Sequence, residues 1–183
     1  MIRLQITKLL LSLSIVAPIT LAQTTPAPAT APVSFPRVLN AAEAGPFLPP
    51  TVFFRGQSAS IQVRNSGGVQ FSKDALLLAT LVDNSGYSSA VQEKYQAYLI
   101  SEVPVEFDGH RLPPGAYGCG FTAGDNFIVM DIGGHDLFTV KSAHDETLRR
   151  PTPLQVLNSP TSSHRYRLYA GRNFVEFSNA ESH

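Results

Sequence analysis

Two His-Asp pairs carry the side chains best suited to chemistry. Gly134-His135-Asp136 and Ala143-His144-Asp145 place them nine residues apart, either side of a short apolar run. Imidazole and carboxylate are natural ligands for zinc or iron, and the same pairing serves a hydrolase as general base and orienting acid. His110, beside a tight turn, is a candidate third ligand. A joint site requires the chain between the pairs to turn back, because strand alternation puts positions 135 and 144 on opposite faces. The plainer alternative makes Asp136 and Asp145 turn and cap residues, with exposed histidines beside them.

A second group of residues is suited to binding rather than reaction. In Ala116-Tyr117-Gly118-Cys119-Gly120-Phe121, strand alternation puts Tyr117, Cys119 and Phe121 on one face and leaves Ala116, Gly118 and Gly120 nearly bare on the other. A bare strand face admits another backbone, an aromatic ring or a ligand. Tyr95 and Tyr98, among six tyrosines, offer rings with a polar tip for a sugar, a peptide or an apolar ligand. The alternatives are a bulky neighbour from the same domain over the glycines, and tyrosines half-buried in a sheet.

Other chemistries are missing from the sequence. There is no Gly-x-Ser-x-Gly elbow, no phosphate-cradling loop and no His-Glu-x-x-His pair. One cysteine, Cys119, forms no intrachain disulfide and excludes Cys-rich zinc and iron–sulfur sites. With no base or cation beside it in sequence, it reads as a small buried hydrophobe. Fourteen Lys plus Arg balance fourteen Asp plus Glu, so no broad field favours nucleic acid or an anionic membrane. No cofactor is expected.

The scaffold that must position these residues is rich in turns. Fourteen prolines and thirteen glycines, against two methionines and no tryptophan, favour strands over helices. Residues 60–71, SIQVRNSGGVQF, read as a hairpin turning at Asn65-Ser66-Gly67-Gly68. Residues 75–82, ALLLATLV, are apolar on both parities and read as a strand covered on both faces, with a short buried helix as the competitor. Asp83-Asn84-Ser85-Gly86 is a turn; Lys94 stands where a calcium loop needs its closing Glu. Residues 89–99 read as a helix capped by Ser89 and Gln92, although Tyr95, Ala97 and Leu99 also alternate as in a strand.

Further along, Asp108-Gly109 and Pro113-Pro114-Gly115 are turns separating short strands. Residues 127–132, FIVMDI, form a buried strand whose Asp131 needs a partner. Ser142 and Asp145 suggest a short helix ending near Arg150, and residues 165–177 a closing hairpin. The run Asp108-Gly109-x-x-Leu112-Pro113-Pro114-Gly115-x-Tyr117 resembles a hairpin of secreted bacterial β-rich domains of unknown function. The resemblance implies a compact exported β domain and brings no catalytic residues with it.

At the N-terminus, Arg3 and Lys8 precede an apolar stretch, and Thr20-Leu21-Ala22 supplies small residues for cleavage before Gln23. Residues 1–22 therefore read as a signal peptide, 23–50 as a Pro/Ala/Thr-rich spacer and strap, 51–178 as a β domain and 179–183 as a flexible tail. The expected fold is all-β, a single sandwich or small barrel with one or two short helices. The expected function is an exported, periplasmic or extracellular, non-catalytic binding domain. Its partner would be a protein, glycan or small molecule, bound around Tyr95, Tyr98, Tyr117, Gly118 and Gly120. No transmembrane segment is expected in the mature chain. The rival is a metal-dependent or His-Asp hydrolytic enzyme built on His135, Asp136, His144 and Asp145.

Overall fold

A computed structural model of the chain describes residues 33–181. The signal-peptide expectation and residues 23–32 of the expected spacer and strap fall outside those residues. All of the elements lie in one compact unit, Ser34–His183. In chain order the first strands are β1 (Arg37–Leu39), β2 (Thr51–Phe54), β3 (Gln57–Ser72), β4 (Ala75–Val82) and β5 (Ala97–Ser101). Then follow β6 (Val105–Phe107), β7 (His110–Leu112), β8 (Gly115–Thr122), β9 (Asn126–Met130) and β10 (Asp136–Lys141). The last are β11 (Ala143–His144), β12 (Gln155–Asn158), β13 (Arg165–Ala170) and β14 (Asn173–Asn179). Two four-residue helices, α1 (Ala41–Ala44) and α2 (Ser89–Gln92), and a 3-10 turn (Gly45–Phe47) complete the described elements. None of these helices is long and apolar enough to cross a membrane.

The strands form two antiparallel sheets, an all-β sandwich-like fold. The larger sheet runs β1-β3-β4-β5-β8-β9-β10 with β2 on β3; the smaller runs β12-β13-β14-β6-β7 with β11 on β14. The main core lies between them. Leu77, Leu99, Cys119, Phe127 and Val129 of the larger sheet meet Phe107, Leu168, Val175 and Phe177 of the smaller. Each such large side chain withdrawn from water contributes about 1.5–3 kcal/mol. At one side His110 stacks on Phe138, with ring centroids 4.9 Å apart. The candidate third ligand is thus occupied in closing the sandwich.

The larger sheet is also covered on its outer face. There β2 and the start of β3 fold back as a hairpin, and Val52, Phe54 and Ala59 pack on Tyr98, Ile128 and Met130. Tyrosine hydroxyls hold this flap by its carbonyls. Tyr98 Oη donates to Phe53 O at 3.1 Å and Tyr87 Oη to Phe54 O at 2.9 Å. The double cover explains β4, whose Leu77 and Ala79 face the main core while Leu76 and Leu78 pack under α1.

Several expectations are corrected. Residues 60–71 are not a hairpin, because β3 runs unbroken from Gln57 to Ser72. Its turns lie at Arg55-Gly56 and before Ala75, and the glycines serve close approach instead. A Cβ on Gly67 would sit 3.1 Å from Val156 N and 3.2 Å from Leu39 O. The alternating apolar residues lie on one strand, and the chain turns at its two ends.

Residues 89–99 satisfy both competing patterns in sequence, since α2 stops at Gln92 and β5 starts at Ala97. The expected Ser89–Gln92 capping box does not form; Gln92 Nε2 donates to Tyr87 O at 2.7 Å. A capping box does form at Asn40 and Glu43, opening α1. The segment expected as a strap thus supplies a sheet strand and a helix, ahead of the expected start at Thr51. No helix follows Ser142. Ala143 and His144 pair with Phe174 and Asn173 of β14. At the far end β14 continues to Asn179, and Ala180 N donates to Pro104 O at 2.9 Å, past the expected boundary.

Candidate functional site

The five residues expected to bind a ligand do not share a surface. Tyr117 faces the main core at 8% exposure, its hydroxyl donating to Pro113 O at 2.8 Å. Gly118 and Gly120 point to the outer face, and that face is filled from within. Phe54 and Tyr95 stack over Gly118, ring centroids 3.9 Å apart and planes 15° apart. A Cβ on Gly118 would meet Phe54 Cε2 at 2.5 Å, and one on Gly120 would overlap the Lys94 carbonyl. Tyr95 is 0% exposed and Tyr98 5%. The bare strand face exists to admit the chain's own rings and backbone.

Tyr95 is a cost of that seal. Its hydroxyl is buried with no hydrogen-bond partner among the described residues. Burial, then the neighbouring Tyr87 and Tyr98, push its ionisation well above the ordinary tyrosine range. An unmade hydrogen bond in such a place costs about 1–3 kcal/mol. Tyr95→Phe keeps the stack and removes the stranded oxygen, so it should raise the urea-unfolding free energy by about 1 kcal/mol. A clear loss of stability would show that the hydroxyl has a partner after all.

The His-Asp pairs are not brought together. His135 lies in the loop between β9 and β10 of the larger sheet, and His144 lies in β11 of the smaller. Asp136 is taken by Lys94, Nζ to Oδ2 at 2.7 Å. His144 Nδ1 stands 2.8 Å from Asn173 Oδ1. Asp145 accepts from Thr147 Oγ1 at 2.7 Å and Tyr169 Oη at 2.9 Å, bonds that keep it ionised to lower pH than usual. Among the described residues no three His, Cys, Asp or Glu side chains are placed to hold a metal. Cys119 is buried, and desolvation pushes its thiol far above the ordinary range.

The partner of His135 is Asp131, the residue the sequence left in need of one. Asp131 has left β9 and accepts from the His135 backbone N at 2.9 Å, while His135 Nδ1 stands 2.9 Å from its Oδ2. The backbone bond and then the ring hold the carboxyl below its usual range. With Nδ1 engaged, Nε2 is the nitrogen left to solvent, on a side chain 82% exposed.

Beside this loop lies a cleft of about 210 Å³ between the β2–β3 turn, α2 and the β9–β10 loop. Arg55, Ser88 and Lys94 supply its polar groups, and Phe54, Val91 and Met130 its apolar ones. None of the three polar residues was singled out as a site residue from sequence. The one signal present is Arg55-Gly56, a two-residue turn with an arginine where Asn or Asp is usual.

A charged network occupies the outer face of the smaller sheet. Arg167 Nε donates to Glu176 Oε1 at 2.9 Å, and its guanidinium lies 4.1 Å over the Phe174 ring. Partial burial alone would raise the Glu176 pKa; the bonds from Arg167 and Ser159 outweigh it and hold the carboxyl low. These charges satisfy one another, so the network reads as structural cross-strand pairing. Compared with family models, with curated proteins and with solved structures, the chain matches none.

Proposed function

We propose that the chain is an exported, non-catalytic binding domain that takes a small ligand in the Arg55 cleft. One observation carries the proposal: Arg55, Ser88 and Lys94 line a concavity whose other walls are Phe54, Val91 and Met130. Small-molecule sites combine apolar walls with a few polar groups that fix orientation, and this cleft offers both. The cleft sits on packed elements rather than on a long loop, since Phe54 and Met130 belong to the outer-face core. A site built this way is largely pre-formed, so little of the binding free energy is lost to ordering.

Export is supported by the charged start, apolar stretch and small residues ahead of Gln23. The mass of the chain recovered after export should correspond to an N-terminus at Gln23; an intact Met1 would overturn that half of the proposal. For binding, the methyl resonance of Met130 reports directly on the cleft. Pools of sugars, short peptides, amines and organic acids added to the mature protein should move it with at least one pool. Shifts confined to other surfaces, or none with any pool, would remove the cleft reading.

A further inference from the structure

We infer that the ligand of this cleft is a small organic carboxylate, held by Arg55 with its apolar stem against Phe54, Val91 and Met130. The inference rests on the cleft reading above and specifies the ligand class. Its starting point is a backbone outlier. Arg55 has φ +49° and Gly56 φ +77°, so both central residues of the turn are left-handed. The equivalent hairpin at Asp108-Gly109, with φ +45° and +81°, places there the short polar residue that suits the conformation. An arginine gains nothing locally from that conformation and disfavours it. Strain of this kind points to a task for the side chain rather than for the turn.

The surroundings aim that side chain. The stem of Arg55 lies flat on Gly134, where an added Cβ would come within 2.6 Å of Arg55 Cγ. Gly134 itself has φ +84°, and its N–H donates to Asp131 O at 2.9 Å, which fixes the loop beneath the arginine. Arg55 N donates to Ile132 O at 2.8 Å, tying the turn to the same loop. The guanidinium has no ion-pair or hydrogen-bond partner among the described residues, whereas Lys94 across the cleft is neutralised by Asp136 at 2.7 Å. Ser88 precedes α2 without using its hydroxyl as a cap, which leaves a second polar group for a ligand.

One unmatched guanidinium fits one carboxylate, because its planar fork donates two parallel bonds to the two oxygens. A doubly charged phosphate would call for more unmatched positive charge than the cleft carries. Its volume of about 210 Å³ is below the range typical of drug-sized ligands, so the stem is short.

The test uses the mature protein with sodium benzoate and sodium hexanoate, their neutral amides, and inorganic phosphate. Both carboxylates should shift the Met130 methyl saturably, with the amides and phosphate at least about tenfold weaker. Arg55→Asn should weaken carboxylate binding by about tenfold or more while unfolding at the same or a higher temperature, since asparagine suits φ +49°. That pairing separates lost binding from lost folding. Carboxylate binding unchanged in Arg55→Asn, or no carboxylate binding, overturns the inference. Amides or phosphate binding as well as the acids overturn the ligand class yet leave the cleft reading standing. Shifts that avoid Met130 and Val91 overturn both.

Discussion

Phe54→Ala should cost about 3–5 kcal/mol of unfolding free energy, and lower Tm by roughly 10 °C. Phe54 is 0% exposed, stacks on Tyr95, and meets the edge of Tyr87 at 6.1 Å. It is the central anchor of the β2–β3 flap, and β2 has β3 as its strand partner. Truncation leaves a cavity over Gly118, which has no side chain of its own to fill it. The flap would remain tied by Tyr87 and Tyr98 through its carbonyls. Urea denaturation measures the loss, and a change below about 1 kcal/mol would mean that the flap contributes little to the core.

The same geometry predicts a coupling. Gly118→Ala places its methyl against the Phe54 ring, so in the Phe54→Ala background the added carbon occupies the new cavity. The double variant should be more stable than the sum of the two single losses, by on the order of 1 kcal/mol. Additive losses would show that the Tyr95 ring, 3.0 Å from the same added Cβ, sets the limit instead.

Gly120→Ala should be about as costly, on the order of 3 kcal/mol, and no truncation of Phe54 should rescue it. Its added carbon would overlap a backbone atom, the Lys94 carbonyl oxygen, rather than the end of a side chain. That stretch of chain is pinned on both sides of the contact. Gln96 N donates to Cys119 O at 3.0 Å, and the Gln96 side chain donates to Phe121 O at 2.9 Å while accepting from Phe121 N at 3.1 Å. Making room breaks that clamp. Rescue of Gly120→Ala by Phe54→Ala would refute the distinction between the ring contact and the backbone contact.

These variants also mark how far the site was legible. A bare strand face at Gly118 and Gly120 has one sequence signature whether a ligand or the chain itself covers it, because glycine records the approach and not the identity of what approaches. Phe54 comes from a distant hairpin, and its arrival there depends on β3 continuing as a bulged strand through Asn65-Ser66-Gly67-Gly68 instead of turning there. Those residues suit a turn, and they equally suit close packing under Val156 and Leu39. Once the turn is misplaced, the flap and its seal cannot be foreseen. His135 and Asp136 are neighbours in sequence, and alternation sends them apart; the loop instead closes back so that Asp131 meets the imidazole. Arg55 was visible only as a weak anomaly, an arginine in a turn, with nothing local to say that a cleft lay beside it.

By itself the sequence determined the strand-rich class, the doubly covered β4 and the Asp108-Gly109 hairpin. It also determined the closing β13–β14 hairpin, but left residues 89–99 open between helix and strand; the structure divided them into α2 and β5. The determined features rest on short-range physics: side-chain alternation, apolar residues on one or both parities, and residues that tolerate positive φ. Tertiary structure alone decided which glycines turn and which are packed upon, which carboxylate meets His135, and that Arg55, Ser88 and Lys94 line one cleft. Those outcomes depend on which surfaces meet across the fold, and a surface carries no mark in its own sequence of the partner that will cover it.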